Sequence, residues 1–282
     1  LDGSGFVVLD APPRAEDAAI VPIGMHVNLG GDDKRTLKSL TLVIDENPAP
    51  VAGTFTIGPH ACVTSISTRV RVNSYSYVRL IAELSDGKLY GVKTFVKASG
   101  GCSAPAASNS DATKSMLGQM KFRIFRQQAG AAPEAQIMVR HPQNSGLQMD
   151  QLTRLYIPPF FIEDLKIWQG DELMVELNGG ISISEDPNIR FDYAPNGAGN
   201  FRVEAVDTSG NPLANAKIYM KGGYKKYTLT TDTQYYYDNF SPTDSRPTTD
   251  ASGLAGVSNL VPGTYVFCGD AGATNCSVSG TT

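Results

Sequence analysis

The feature that most constrains this chain is strict two-residue alternation in short runs, each closed by turn residues. Ser65–Asn73 shows it most cleanly: Ile66, Val70 and Val72 fall on one face, Arg69 and Arg71 on the other. Successive side chains of a strand point to opposite faces, so this pattern predicts a half-buried strand with both arginines in water. Similar runs recur at Gly24–Leu29, Ser39–Asp45, Gly53–Gly58, Tyr77–Leu84 and Leu89–Val96. Ser85-Asp-Gly-Lys88 between the last two is a hairpin turn. Helical periodicity is scarce. Many short strands punctuated by Gly, Pro, Asn and Asp predict an all-β chain of antiparallel sandwiches.

Pro12, Pro13 and Pro22 break the first stretch. From Cys102 to Lys114 the composition turns to Ser, Ala, Asn, Asp, Pro and Thr, as in a linker. Apolar alternation returns over Met116–Arg126, and Gln127–Glu134 is a second linker. A second set of strands is expected at Ala135–His141, Phe160–Trp168, Glu172–Leu177, Ile181–Ser184, Ile189–Tyr193 and Phe201–Val206, with a long polar loop at Pro142–Leu155. The expected organisation is two antiparallel sandwiches in tandem, residues 1–127 and 135–206, followed by a smaller β-rich extension, 207–282. Pattern alone leaves open whether 201–206 belongs to the second unit or the third.

At 282 residues the chain is long enough for two or three domains. Net charge is -4, which implies no broad basic surface for nucleic acid. No apolar run reaches transmembrane length. Leu1 is not an initiator methionine, and the simplest reading is a processed, exported chain, periplasmic or extracellular. Four cysteines are too few for a disulfide scaffold. Cys268 and Cys276 are close enough to close a small loop, and a disulfide there fits an oxidising compartment.

Cys102 differs from a packing cysteine. It follows Gly100 and Gly101 and precedes Ser103, Ala104 and Pro105, so nothing within the segment can cover the sulfur. It reads as a presented thiol, on glycines that give the arm freedom. A thiolate is the reactive form, and Lys93 and Lys97 upstream are candidates to stabilise it. Two other readings stand beside this one: a disulfide to Cys62, or an inert loop. Cys62, in Pro59–Val63, is expected to pack in the core. His60 and Cys62 offer two metal-ligand types without a second pair, so no metal site is expected. Glu185-Asp186-Pro187 reads as a turn, and Tyr235–Tyr237 as an exposed strand. No nucleophile elbow, phosphate loop or acid/base constellation is visible, which argues against an enzyme acting alone.

The Gly100–Ala106 segment, with Pro13–Asp17, Ser67–Asn73 and Ser85–Tyr90, resembles SoxY, the carrier of bacterial thiosulfate oxidation. Ile137–Pro142, Pro159–Ile162 and Ser182–Pro187 resemble its partner SoxZ. Both in one chain resemble the fused SoxYZ-like carriers found beside quinoprotein dehydrogenases. The resemblance implies two Ig-like sandwiches, periplasmic export, no cofactor beyond a covalent adduct on Cys102, and a c-type cytochrome or quinoprotein dehydrogenase as partner. In SoxY the cysteine lies in a terminal Gly-Gly-Cys-Gly-Gly arm; here it is internal and tethered at both ends. Val203–Phe267 resembles a carboxypeptidase-regulatory or transthyretin-like fold. That tail motivates a rival reading: an extracellular structural or adhesive protein that self-associates through its open strand edges.

Overall fold

A computed structural model describes residues 1–105, 117–125, 132–197 and 201–208 in full, and after them the backbone of strands between 217 and 281. Seven strands come from the first half: β1 (Val7–Asp10), β2 (Val21–Val27), β3 (Leu37–Ile44), β4 (Val51–Ile57), β5 (Ser65–Val70), β6 (Ser76–Leu84) and β7 (Leu89–Val96). Six follow: β8 (Met120–Phe125), β9 (Glu134–Val139), β10 (Ile162–Gln169), β11 (Glu172–Gly179), β12 (Asn188–Asp192) and β13 (Phe201–Asp207). No helix occurs among the described residues. The chain is all-β and its ladders are antiparallel, as the alternation predicts.

The strands bury alternate residues. In β6, Val78, Leu80, Ala82 and Leu84 are buried while Tyr77, Arg79, Ile81 and Glu83 lie at or near the surface. β2 accommodates Pro22 because β1 pairs only with Gly24–Val27, leaving Pro22 a neighbour on one side alone. The turn after β6 forms as expected, with Gly87 at φ +75°.

The two halves are joined through their sheets. One sheet runs β1-β2-β5-β12-β9-β8, and the other β13-β10-β11-β4-β3-β6-β7. The crossings between halves are β5–β12, with Ile66 opposite Phe191, and β4–β11, from Ile57 opposite Val175 to Gly53 opposite Gly179. Gly58 permits the second crossing: a Cβ there would lie 1.6 Å from the Leu173 carbonyl oxygen. The sheets face each other over one continuous apolar core, from Val7 to Ala205. Across it Phe122 of β8 meets Phe201 of β13, with ring centroids 4.6 Å apart. Both sandwiches therefore share their sheets and their core.

β13 pairs with β10 along its whole length, which places 201–207 with the second half. Ile181–Ser184, expected as a strand, is a turn with a single bridge from Ile183 to Val70. Its backbone bonds locally to the chain around Arg69 and Arg71 instead of joining a ladder. Beyond residue 216, β14 (Lys217–Met220) and β18 (Phe267–Asp270) continue the first sheet past β8. Strands β15 (Gly223–Thr228), β16 (Thr231–Tyr236), β17 (Thr264–Tyr265) and β19 (Gly280–Thr281) form a separate four-stranded sheet. Tyr235 and Tyr236 lie on β16. Cys276 and Tyr237 lie outside the described residues, as does the linker composition of 106–114.

Candidate functional site: a buried thiol at the seam

β7 delivers the chain to Cys102, but the segment is not a free arm. The Gly100 amide donates to the Asn73 carbonyl at 2.8 Å, and the Gly101 amide to the Val72 carbonyl at 3.1 Å. Ser103 closes the turn with its amide and hydroxyl, both 3.2 Å from the Gly100 carbonyl. Gly100 has φ +79°, a conformation that favours glycine. Gly101 is required by space: a Cβ would lie 2.0 Å from the Ala18 carbonyl oxygen and 2.7 Å from that of Val72. The glycines expected to give freedom instead allow close docking.

Cys102 is consequently buried, with no measurable exposure, which corrects the expectation of a presented thiol. The small neighbours in its own segment leave the sulfur bare, but the rest of the chain covers it. The second half supplies part of that cover: the Ser145 hydroxyl donates to the Cys102 carbonyl at 2.5 Å. The Gln148 side-chain oxygen in turn accepts the Ser145 amide at 2.7 Å. Ser145 and Gln148 belong to the long loop after β9, whose polar residues His141, Gln143, Asn144, Ser145 and Gln148 are buried.

Arg71 is the residue that alternation misplaces. It follows β5 in the expected polar register, yet it is the largest of the fully buried side chains, 1% exposed. The Ile181–Ser184 turn runs alongside it, with the Arg71 amide donating to the Ser182 carbonyl at 2.7 Å. Asn47 closes the seam from below, donating to the Arg71 carbonyl at 2.7 Å and to the Ser182 hydroxyl at 2.8 Å. The Asn47 side-chain oxygen accepts the Asn73 amide at 2.8 Å. Arg71 Nη1 donates to the Gly101 carbonyl at 3.1 Å and points toward that of Ala104 at 3.4 Å.

Burial raises the Cys102 thiol pKa, and the Arg71 charge opposes that rise. Burial likewise lowers the pKa of Arg71, opposed by Glu185, Cys102 and Asp17. Burial thus disfavours the thiolate, which is the nucleophile, and the Arg71 charge favours it. His141, stacked near Phe160, is held neutral: burial pushes its pKa down to about 4.

Of the residues selected from sequence, the structure gathers Gly100, Gly101, Cys102 and Ser103. Lys93 and Lys97 do not join them. Lys93 Nζ stands over the Tyr77 ring, 4.5 Å from its centroid, and Lys97 is an exposed residue bridged to Arg14. The charge acting on the thiol is that of Arg71 instead. Cys62 is exposed rather than packed, at φ +51°, and both Cys62 and Cys102 are free thiols. The disulfide between them does not form. Cys268 lies on β18, and its expected partner is beyond the described residues. Arg71, Asn47, Ser145 and Gln148 had no signal as site residues, because burial there depends on contact between distant segments.

The fold and site define a two-module β protein with a free thiol sealed where the modules meet. A family model for the sulfur oxidation protein SoxY matches residues 1–102, ending on Cys102, and one for the sulphur oxidation protein SoxZ matches residues 122–216. The chain carries a SoxY domain and a SoxZ domain in tandem, as in a fused SoxYZ-like protein. No curated protein matches it. SoxY and SoxZ are carrier proteins of sulfur oxidation that work with other proteins of that system. Among the described residues, no helix is long and apolar enough to cross a membrane.

Proposed function

We propose that this protein carries a covalent sulfur-type intermediate on Cys102 and presents it to redox enzymes outside the cytoplasm. The supporting observation is how the thiol is held. Cys102 is a free thiol buried at the seam, and hydrogen bonds at Gly100, Gly101 and Cys102 tie its segment to the rest of the chain. Such bonds contribute about 1 kcal/mol each, so the segment opens without dismantling the apolar core. The SoxY match ending on Cys102 supports the same assignment. The redox partners are c-type cytochromes or a quinoprotein dehydrogenase. They meet the cargo close to the body of the protein, because the loop is tethered at both ends. Intact-mass measurement of protein from its native source tests this. The expected result is an adduct lost on reduction and absent from Cys102→Ala. Sulfur-oxidising function that survives Cys102→Ala would overturn it.

A further inference from the structure

Two arginines at the surface show how this protein uses the Nε–Nη2 edge of a guanidinium. Arg79 places Nε and Nη2 on the two oxygens of Asp45, each at 2.7 Å. Arg35 does the same with Asp33, at 2.9 and 2.5 Å. That edge is a rigid fork whose two parallel donors match two oxygens of one oxoanion.

Arg71 has the same fork, in a different setting. Its Nη1 is engaged by the backbone next to the thiol. Nε and Nη2 are buried and have no hydrogen-bond partner among the described residues. A buried cation with two unused donors is costly, because both have lost water and gained nothing. The anionic groups whose charge reaches it are Glu185, Cys102 and Asp17. Neither carboxylate is hydrogen-bonded to the fork. Cys102 is the third group, the residue after the Gly101 carbonyl that Arg71 holds.

We infer that Arg71 is the binding residue for the anionic end of whatever Cys102 carries, its Nε–Nη2 edge taking two oxygens of a sulfonate-type oxoanion inside the seam. The inference rests on the carrier reading and adds the residue that holds the cargo's charged end. A neutral or cationic group on the same sulfur would leave the fork unpaired. The loaded protein is then closed and stabilised, and opening exposes cargo and thiol together.

The test installs the group chemically, so it does not depend on native cargo. In the full chain carrying Cys62→Ser, reduced Cys102 is treated with methanethiosulfonates bearing a sulfonatoethyl, an ethyl or a trimethylammonioethyl group. The thiol loses its proton to buffer, and the thiolate attacks the divalent sulfur of the reagent. A disulfide forms, the S–SO2 bond breaks, and methanesulfinate leaves with the electron pair. Peptide mass mapping confirms the site. With each rate divided by that reagent's rate with a small free thiol, at low salt the sulfonate reagent is expected to be favoured over the cationic one by about tenfold or more, the scale of local electrostatic steering. Its adduct should melt higher than the ethyl adduct. Arg71→Met should abolish both differences, and Arg71→Lys should keep the rate preference but lose the extra stability, having charge without the fork. Equal melting of the sulfonate and ethyl adducts in the Arg71 protein would overturn the inference even if the variants fail to fold. So would a charge preference that survives Arg71→Met. Neither result touches the carrier reading, which falls only with the native adduct.

Discussion

Adding one methyl group at Gly101 tests the claim that the glycines dock the thiol and do not free it. The Cβ of Gly101→Ala would lie 2.0 Å from the Ala18 carbonyl oxygen, 2.7 Å from its carbon and 2.7 Å from the Val72 carbonyl oxygen. All three are backbone atoms, so no side chain can rotate away, and the segment must withdraw by about 1.4 Å to reach ordinary contact at 3.4 Å. Withdrawal breaks the Gly101 amide bond to Val72 and the Arg71 bond to the Gly101 carbonyl. A neutral hydrogen bond is worth about 1 kcal/mol net and one to a charged donor about 2, so the closed state loses about 3 kcal/mol. At 1.4 kcal/mol per tenfold, opening becomes about 100-fold more frequent. The assay is the reaction rate of Cys102 with an aromatic disulfide in the Cys62→Ser background, because Cys62 is exposed and would react first. Gly100→Ala is the control. It forces a left-handed residue, φ +79°, which Gly101 does not, and nothing lies within 4 Å of its Cβ. It should cost about 1 kcal/mol and change the rate less than tenfold. If Gly101→Ala reacts no faster than Gly100→Ala, the docking argument is wrong.

Two further outcomes follow from the same seam. Folded His141 has a pKa of about 4, against about 6.5 unfolded, so the unfolded chain binds the extra proton between those values. Its contribution is therefore complete above pH 6.5 and is lost as pH falls toward 4, by about 3 kcal/mol in all; denaturant titrations at several pH values should show that slope, and His141→Gln should flatten it. Asn47→Ala removes three buried hydrogen bonds, to the Arg71 carbonyl, the Ser182 hydroxyl and the Asn73 amide. It should cost about 3 kcal/mol, seen as a fall of roughly 6–12 °C in Tm by calorimetry; a fall of under about 2 °C would show that Asn47 does not clasp the halves.

The all-β class and most strand positions were legible because alternation is a local signal. Leu89–Val96 appears as a strand at the bounds the pattern suggests, and Ser76–Leu84 begins one residue earlier than expected. The thiol segment was legible for a similar reason: two glycines before a cysteine, among small residues, is an uncommon neighbourhood. Alternation reports which face a side chain takes, and on β5 it sorts Ile66 and Val70 correctly. It does not report what covers the other face. Arg71 keeps its polar register and is buried all the same, where segments distant in sequence meet: its side chain donates to the Gly101 carbonyl and its amide to that of Ser182, more than 100 residues away.

The same limit governs Cys102. Its local sequence establishes that nothing nearby shields the sulfur, and that remains true of Gly100–Pro105. Whether the thiol meets water is settled by segments brought in from elsewhere: Ser145 of the other half bonds the Cys102 carbonyl, and Arg71, just after β5, bonds that of Gly101. Burial is a property of the assembled sheets, since it depends on which distant segments come together. The strands, the turns and the reactive residue are written locally. The charge facing that residue comes from Arg71 in the same half and part of its seal from Ser145 in the other, so both exist only in the folded chain.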